Sequence, residues 1–162
     1  PALRLACRGA ALVAMARTGV AAGFSVAAAS PDPAYLASLR PLALTGSHHL
    51  DQPGDLPPVT DDADTAVVLL FHDHEWEPAL LRQALEGPAP FIGAMGSRRT
   101  HSARLQALRA AGVDETDLGR ITGPLGLVPS LHEANLIAVS ALAQVTEQLR
   151  RPAPASGLHR AA

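Results

Sequence analysis

The chain contains no lysine, and all thirteen of its basic residues are arginines. A lysine nucleophile or Schiff base is thereby excluded. With a formal charge of −2, nothing marks a nucleic-acid-binding face. Cys7 is the only cysteine, which rules out an intrachain disulfide and a cysteine-clustered zinc site and fits a reducing cytoplasm. Aromatic residues make up 3% of the chain, so the core must be built from Ala, Leu, Val and Ile. No apolar run approaches the roughly 20 residues that span a bilayer. A signal-peptide pattern is also missing from the N-terminus, so no membrane partner is expected. The first residue is Pro1 rather than methionine, which suggests a fragment or a processed product.

What is present is a globular composition: 162 residues, 48% hydrophobic and 17% charged. That length suits one domain with a substantial core. We assign it to residues 1–150, with a flexible Pro/Ala tail at 151–162. Leu3 to Cys7 is a short apolar run followed by Arg8 and Gly9, then by a small-residue helical pattern from Ala10 to about Ala22. Leu12, Ala16, Gly19, Val20 and Gly23 share one face of it, and Gly23 ends it. Ser25 to Ala29 reads as a second strand, broken by Ser30-Pro31-Asp32-Pro33. Strand, glycine turn and helix open a dinucleotide-binding unit. The predicted fold class is α/β, a three-layer Rossmann-like arrangement with a mostly parallel sheet and helices on both faces.

The glycine fingerprint of such a unit is damaged. Where G-x-G-x-x-G is wanted the chain has Cys7, Gly9 and Leu12, and Ser30 stands where an acidic residue would hold a ribose hydroxyl. NAD(P) binding is therefore not expected. Cys7 has no His or Lys beside it in sequence and reads as a small buried hydrophobe rather than a reactive thiol. Residues 34–64 are irregular, with a short helix expected at Ala34 to Leu39 and a brief strand at Leu42 to Leu44. His48 and His49 lack a third ligand at suitable spacing and read as part of a solvated loop rather than a metal site.

Thr65 to Phe71, TAVVLLF, has the pattern of a central parallel strand buried on both faces. It runs into His72-Asp73-His74 at the carboxyl end, where ligands of open α/β sheets lie. Asp73 is placed to orient a histidine or to cap the helix expected at Glu77 to Leu85. The stretch Pro90 to Ala103, PFIGAMGSRRTHSA, reads as strand, loop and helix. Gly93 and Gly96 permit turns, Ser97 caps the helix, and the first-turn amides with Arg98 and Arg99 favour phosphate or another oxyanion. An ordinary strand-to-helix turn with two solvated arginines accounts for the same residues. The helix runs to Ala111 and stops at Gly112. A short helix capped by Asp114 follows, and then a strand or extended loop from Ile121 to Leu127. Ser130 to Glu133 forms a capping box for a last helix ending near Leu149.

The run TAVVLLFHDHEWEPALLRQALEGPAPFIGAMGSRRTHSARLQALRAAGV, with the later GPLGL and EANLIAVSALAQV, resembles the xanthine dehydrogenase accessory-factor family (XdhC/CoxI-like). Most of residues 1–149 take part, and the specific parts are HDH after a strand and IGAMGSRR before a helix. The resemblance implies the family's C-terminal Rossmann domain. It further implies an accessory or chaperone role rather than an enzyme's: binding the molybdenum (pterin) cofactor and assisting its insertion into a xanthine dehydrogenase-like molybdenum hydroxylase. Carried over by position, the cofactor-binding candidates are Gly9, His72, Asp73, His74, Gly93, Ala94, Met95, Gly96, Ser97, Arg98, Arg99 and Gly126. No catalytic residue or metal ligand is implied.

The chain departs from the family at Cys7, Leu12 and Ser30. It departs again at Val128-Pro129-Ser130, where an Asp-containing stretch is usual, and the family's N-terminal cysteine-motif domain has no counterpart. Two other readings stay open. One is an NAD(P)-linked oxidoreductase, and the other a degenerate Rossmann module that binds no small molecule and docks on a partner or forms a homodimer.

Overall fold

The structure is a computed structural model describing residues 1–73 and 75–150. In chain order its elements are β1 (Ala2–Cys7), α1 (Ala10–Ala21), β2 (Ser25–Ser30), α2 (Pro33–Ser38), β3 (Gly46–His49), β4 (Thr65–Leu70), α3 (Glu77–Glu86), β5 (Phe91–Ala94), α4 (Arg98–Ala110), α5 (Glu115–Leu118), β6 (Ile121–Thr122) and α6 (Ala134–Leu149). The strands form one sheet in the order β3-β2-β1-β4-β5-β6. Every pairing is parallel, and β1 registers with β4 from Ala2↔Thr65 to Cys7↔Leu70. This is the doubly wound order of a Rossmann fold, with its switch point between β1 and β4.

The period-2 geometry of strands divides the core into two layers. On β4, Ala66, Val68 and Leu70 join Leu3, Leu5 and Cys7 of β1 under α1 and α6. Val67, Leu69 and Phe71 face the other way, toward α3, α4 and α5. A strand buried on both faces needs a continuous apolar run, and all six residues of β4 are buried. Helix α1 lies close to the sheet at Gly19, where a Cβ would stand 2.9 Å from Leu3 Cδ2 and 3.2 Å from Val26 Cγ2. Among the described residues, no helix is long and apolar enough to cross a membrane.

Local expectations fail in four places. The edge strand is Gly46–His49 rather than Leu42 to Leu44. Leu42 and Leu44 are instead partly buried against the core, and Gly46 to His49 are held in register by Ala27 to Ser30 of β2. His48 and His49 therefore sit on a strand, not in a loop. Ser130 does not open the last helix. Its φ is 60°, and α6 begins at Ala134 with Glu133 as N-cap and no side-chain cap. Nor does Asp73 cap α3, whose N-cap is Trp76; Asp73 pairs with Arg8. The tail at 151–162 and His74 lie outside the described residues. Asp114 does cap α5, accepting from the Asp117 N–H at 2.8 Å.

Candidate functional site

Strands β4 and β5 end side by side, and the turn out of β5 is tightly constrained. At Gly93 a Cβ would lie 2.7 Å from both Leu125 Cδ1 and Phe91 Cε1, so a side chain there would have to displace these two. Gly96 has φ +135° and would bring a Cβ within 2.7 Å of Thr100 Cγ2, so the loop passes where only glycine is unstrained. Ser97 then caps α4. Its Oγ accepts from the Thr100 N–H at 3.1 Å, and its carbonyl accepts from the His101 N–H at 2.9 Å. The amides of Arg98 and Arg99, in the first turn, have no intrahelical acceptor. With no acidic residue in that turn, the helix's own first turn does not compensate its positive dipole end.

This helix start forms one end of a cleft of about 860 Å³. Met95, Gly96, Ser97, Arg98 and Thr100 line that end, and His72 borders it from the end of β4. The opposite wall is the loop from Pro124 to His132 together with Ile137 and Ser140 of α6. The loop is pinned to the helix. Gly126 N–H donates to Gln144 Oε1 at 2.6 Å and Val128 N–H to Ser140 Oγ at 2.8 Å. At Gly126 a Cβ would meet Ser140 Oγ at 2.9 Å.

Behind the cleft, Arg104 and Glu77 form a buried ion pair with both side chains 3% exposed. Arg104 Nε and Nη2 donate to the two carboxylate oxygens at 2.9 and 3.0 Å, and Nη2 also donates to the Met95 carbonyl at 2.6 Å. His101 fits beneath Gly123, where a Cβ would fall 2.2 Å from the ring Nδ1. Burial, and secondarily the Arg104 guanidinium, lower the His101 pKa from its ordinary 6.5. A neutral ring there can accept from Arg104 Nη1 at 3.4 Å.

Of the residues singled out in the sequence, His72, Met95, Gly96, Ser97, Arg98 and Gly126 are brought together around the cleft. The other described candidates are not among its lining. Gly93 and Ala94 are buried within β5, and Arg99 is exposed on the first turn of α4. Gly9, with φ 92°, is the N-cap of α1. Asp73 is ion-paired to Arg8, whose guanidinium also lies 5.8 Å from the Trp76 ring centroid. Cys7 is buried and donates to the Leu70 carbonyl at 3.2 Å. Burial pushes its thiol up to about 12, so it behaves as a small core hydrophobe. Among the described residues, no group of three or more His, Cys, Asp or Glu could hold a metal ion.

Sequence reasoning missed Thr100, Ile137 and Ser140 as wall residues and the Arg104–Glu77 pair behind them. The glycines of GPLGL signalled that a turn would reach the sheet's carboxyl edge. Nothing local distinguished Ser140 from any other small residue of a helix.

Residues 3–145 match the family described as the XdhC Rossmann domain. The molybdenum cofactor insertion chaperone PaoD of Escherichia coli (strain K12) is 42% identical over 84 residues, which is 52% of this chain and 26% of that protein. A solved structure described as a xanthine dehydrogenase from Bacillus halodurans superposes with a TM-score of 0.71 at 22% identity, over 98% of this chain and 46% of that one. The chain thus spans about a quarter of the curated relative and about half of the solved chain. The solved structure supports the fold alone. The family match, running from the first strand into the last helix, goes further: the chain belongs to the XdhC Rossmann domain family.

Proposed function

We propose that residues 1–150 form one Rossmann domain that binds the molybdenum (pterin) cofactor as cargo and assists its insertion into a xanthine dehydrogenase-like molybdenum hydroxylase. The carrying observation is the cleft itself, about 860 Å³ with an oxyanion-favouring helix start at one end and Leu125, Leu127 and Ile137 along the opposite wall. Its volume falls in the range of about 300–1,000 Å³ usual for small-molecule sites. The pterin cofactor pairs a phosphate with a fused-ring body, and the two ends of the cleft match those two parts. The first-turn amides of α4 and the Arg98 side chain would hold the phosphate. His72, Met95, Gly96, Ser97 and Gly126 would surround the rest. Arg99 adds charge at the rim, Gly93 and Ala94 shape the strand leading in, and Gly9 and Asp73 bear on the neighbouring turns. The family membership and the role named for PaoD support this reading.

The test is direct binding of purified cofactor to the chain and to the Arg98→Ala, Arg99→Ala double variant. The expected result is an affinity loss of about tenfold or more, as for charge-assisted contacts to phosphate. Unchanged binding overturns the assignment. The partner would be the recipient molybdenum enzyme. Leu127, Val128, Leu136 and Val139, all exposed on the loop and helix that wall the cleft, suit contact with that partner or with a second copy of the chain. The lone, buried, protonated cysteine suits a reducing cytoplasm.

The NAD(P)-linked reading is disfavoured at the site it requires. Ser30 is fully buried at the end of β2, and its Oγ accepts from the Asp32 N–H at 3.1 Å, so that position offers a ribose no carboxylate. Sub-millimolar binding in a titration with NAD(H) and NADP(H) would reinstate it.

A further inference from the structure

We infer that Arg104 is a positioning residue for the anion-holding loop, and that the donor it aims is the backbone N–H of Gly96. The inference rests on the phosphate reading given above and assigns that site a donor outside the helix.

Arg104 lies two turns into α4, with its side chain 3% exposed. Both oxygens of Glu77 hold its guanidinium, leaving Nη2 to reach the Met95 carbonyl at 2.6 Å. A peptide unit is planar and trans, so the N–H of Gly96 points opposite to the carbonyl of Met95 and therefore away from Arg104. Gly96 lines the cleft, and among the described residues its N–H has no hydrogen-bond acceptor in the chain. The guanidinium is also close, since the Cβ that Gly96 lacks would stand 3.6 Å from Nη2.

Glycine at φ +135° has little intrinsic preference between this orientation of the preceding peptide and its flipped alternative. The flip would turn the Met95 carbonyl toward the cleft, where its oxygen would repel a phosphate. Arg104 selects the other orientation. Because Glu77 neutralises its charge, Arg104 acts through geometry more than through a long-range field. The planar fork of arginine serves two carboxylate oxygens and a carbonyl from separate nitrogens, a geometry that a lysine, whose three donors radiate from one nitrogen, does not match.

The experiment is a titration of the full chain with inorganic pyrophosphate, following backbone amide NMR signals, for wild type and Arg104→Lys. In wild type the Gly96, Arg98 and Arg99 amides are expected to shift together. In Arg104→Lys the affinity is expected to fall about tenfold, with the Gly96 response lost and the Arg98 response retained. A residue needed only for folding would weaken all three responses equally. If wild type binds with a silent Gly96 amide, or if Arg104→Lys binds as wild type does, the inference is overturned while the phosphate reading stands. If wild type shows no binding and none of the three amides shifts, the phosphate reading itself falls and takes this inference with it. The wild-type arm tests the Gly96 donor even if the variant does not fold, since a silent Gly96 amide there overturns the inference.

Discussion

Arg4, in the middle of β1, donates from Nη2 to the Asp61 carboxylate at 2.7 Å, with the two side chains 9% and 2% exposed. Its Nη1 donates to Gln83 Oε1 at 2.9 Å, and Gln83 Nε2 donates in turn to the Pro57 carbonyl at 2.9 Å. One buried cation thus fastens the irregular proline-rich segment before β4 to both the sheet and α3. Removing Asp61 alone strands a charge in the interior, so Asp61→Ala is expected to cost about 3–5 kcal/mol. Among the described residues Arg4 Nε is buried without a partner, so the network is only partly satisfied. Replacing both partners by apolar residues, Arg4→Met with Asp61→Leu, is expected to cost much less than the single change. Urea denaturation of the two variants checks the ordering.

Gly96→Ala combines a backbone conformation unfavourable to L side chains with a clash against Thr100 Cγ2 at 2.7 Å. The expected loss of stability is about 1–3 kcal/mol. Adding Thr100→Ser removes the methyl group but not the backbone strain, so it should restore only part of the loss. Thermal melting of wild type, single and double variants measures both parts.

His101 makes stability depend on pH in a defined direction. Its folded-state pKa lies below the ordinary value of 6.5, so the unfolded chain binds this proton more readily than the folded one. By linkage, its contribution to stability is complete above pH 6.5, declines as pH falls through that value toward the folded pKa, and then levels off. His101→Gln should flatten this part of the profile. Comparing melts of the two proteins on either side of pH 6.5 isolates it from the other histidines. An identical pH dependence would show that His101 does not carry it.

Cys7 is expected to resist thiol reagents in the folded protein and to react fully once unfolded. The thiolate is the reactive species, and burial raises this thiol to about 12. Labelling with and without denaturant decides this. Rapid labelling of the folded chain would show that Cys7 is a reactive thiol rather than a core hydrophobe.

Much of the site was legible because its signals are local. Ser97 follows a glycine turn and precedes a helical pattern, and its capping bond spans only three residues. TAVVLLF reads as a central strand because burial on both faces leaves no polar position. The errors arose where a local signal competed with distant partners. Ser-x-x-Glu at Ser130 to Glu133 has the spacing of a capping box, yet the loop is held by Gln144 and Ser140 and α6 starts later. Gly46 to His49 has little strand character of its own and is made a strand by β2. Asp73, a plausible cap, is taken by Arg8 across 65 positions.

The sequence by itself determined the order of strands and helices, the two-sided burial of β4 and the start of α4, since periodicity, glycine and capping act over a few residues. Only the tertiary structure decided which side chains share the cleft. It brought Ser140 and the GPLGL loop opposite Gly96, left Gly9 and Asp73 outside the lining, and set the Arg104–Glu77 pair behind the loop. Those contacts join elements far apart in the chain, and their partners are chosen by packing on the two faces of the sheet, which no local pattern encodes.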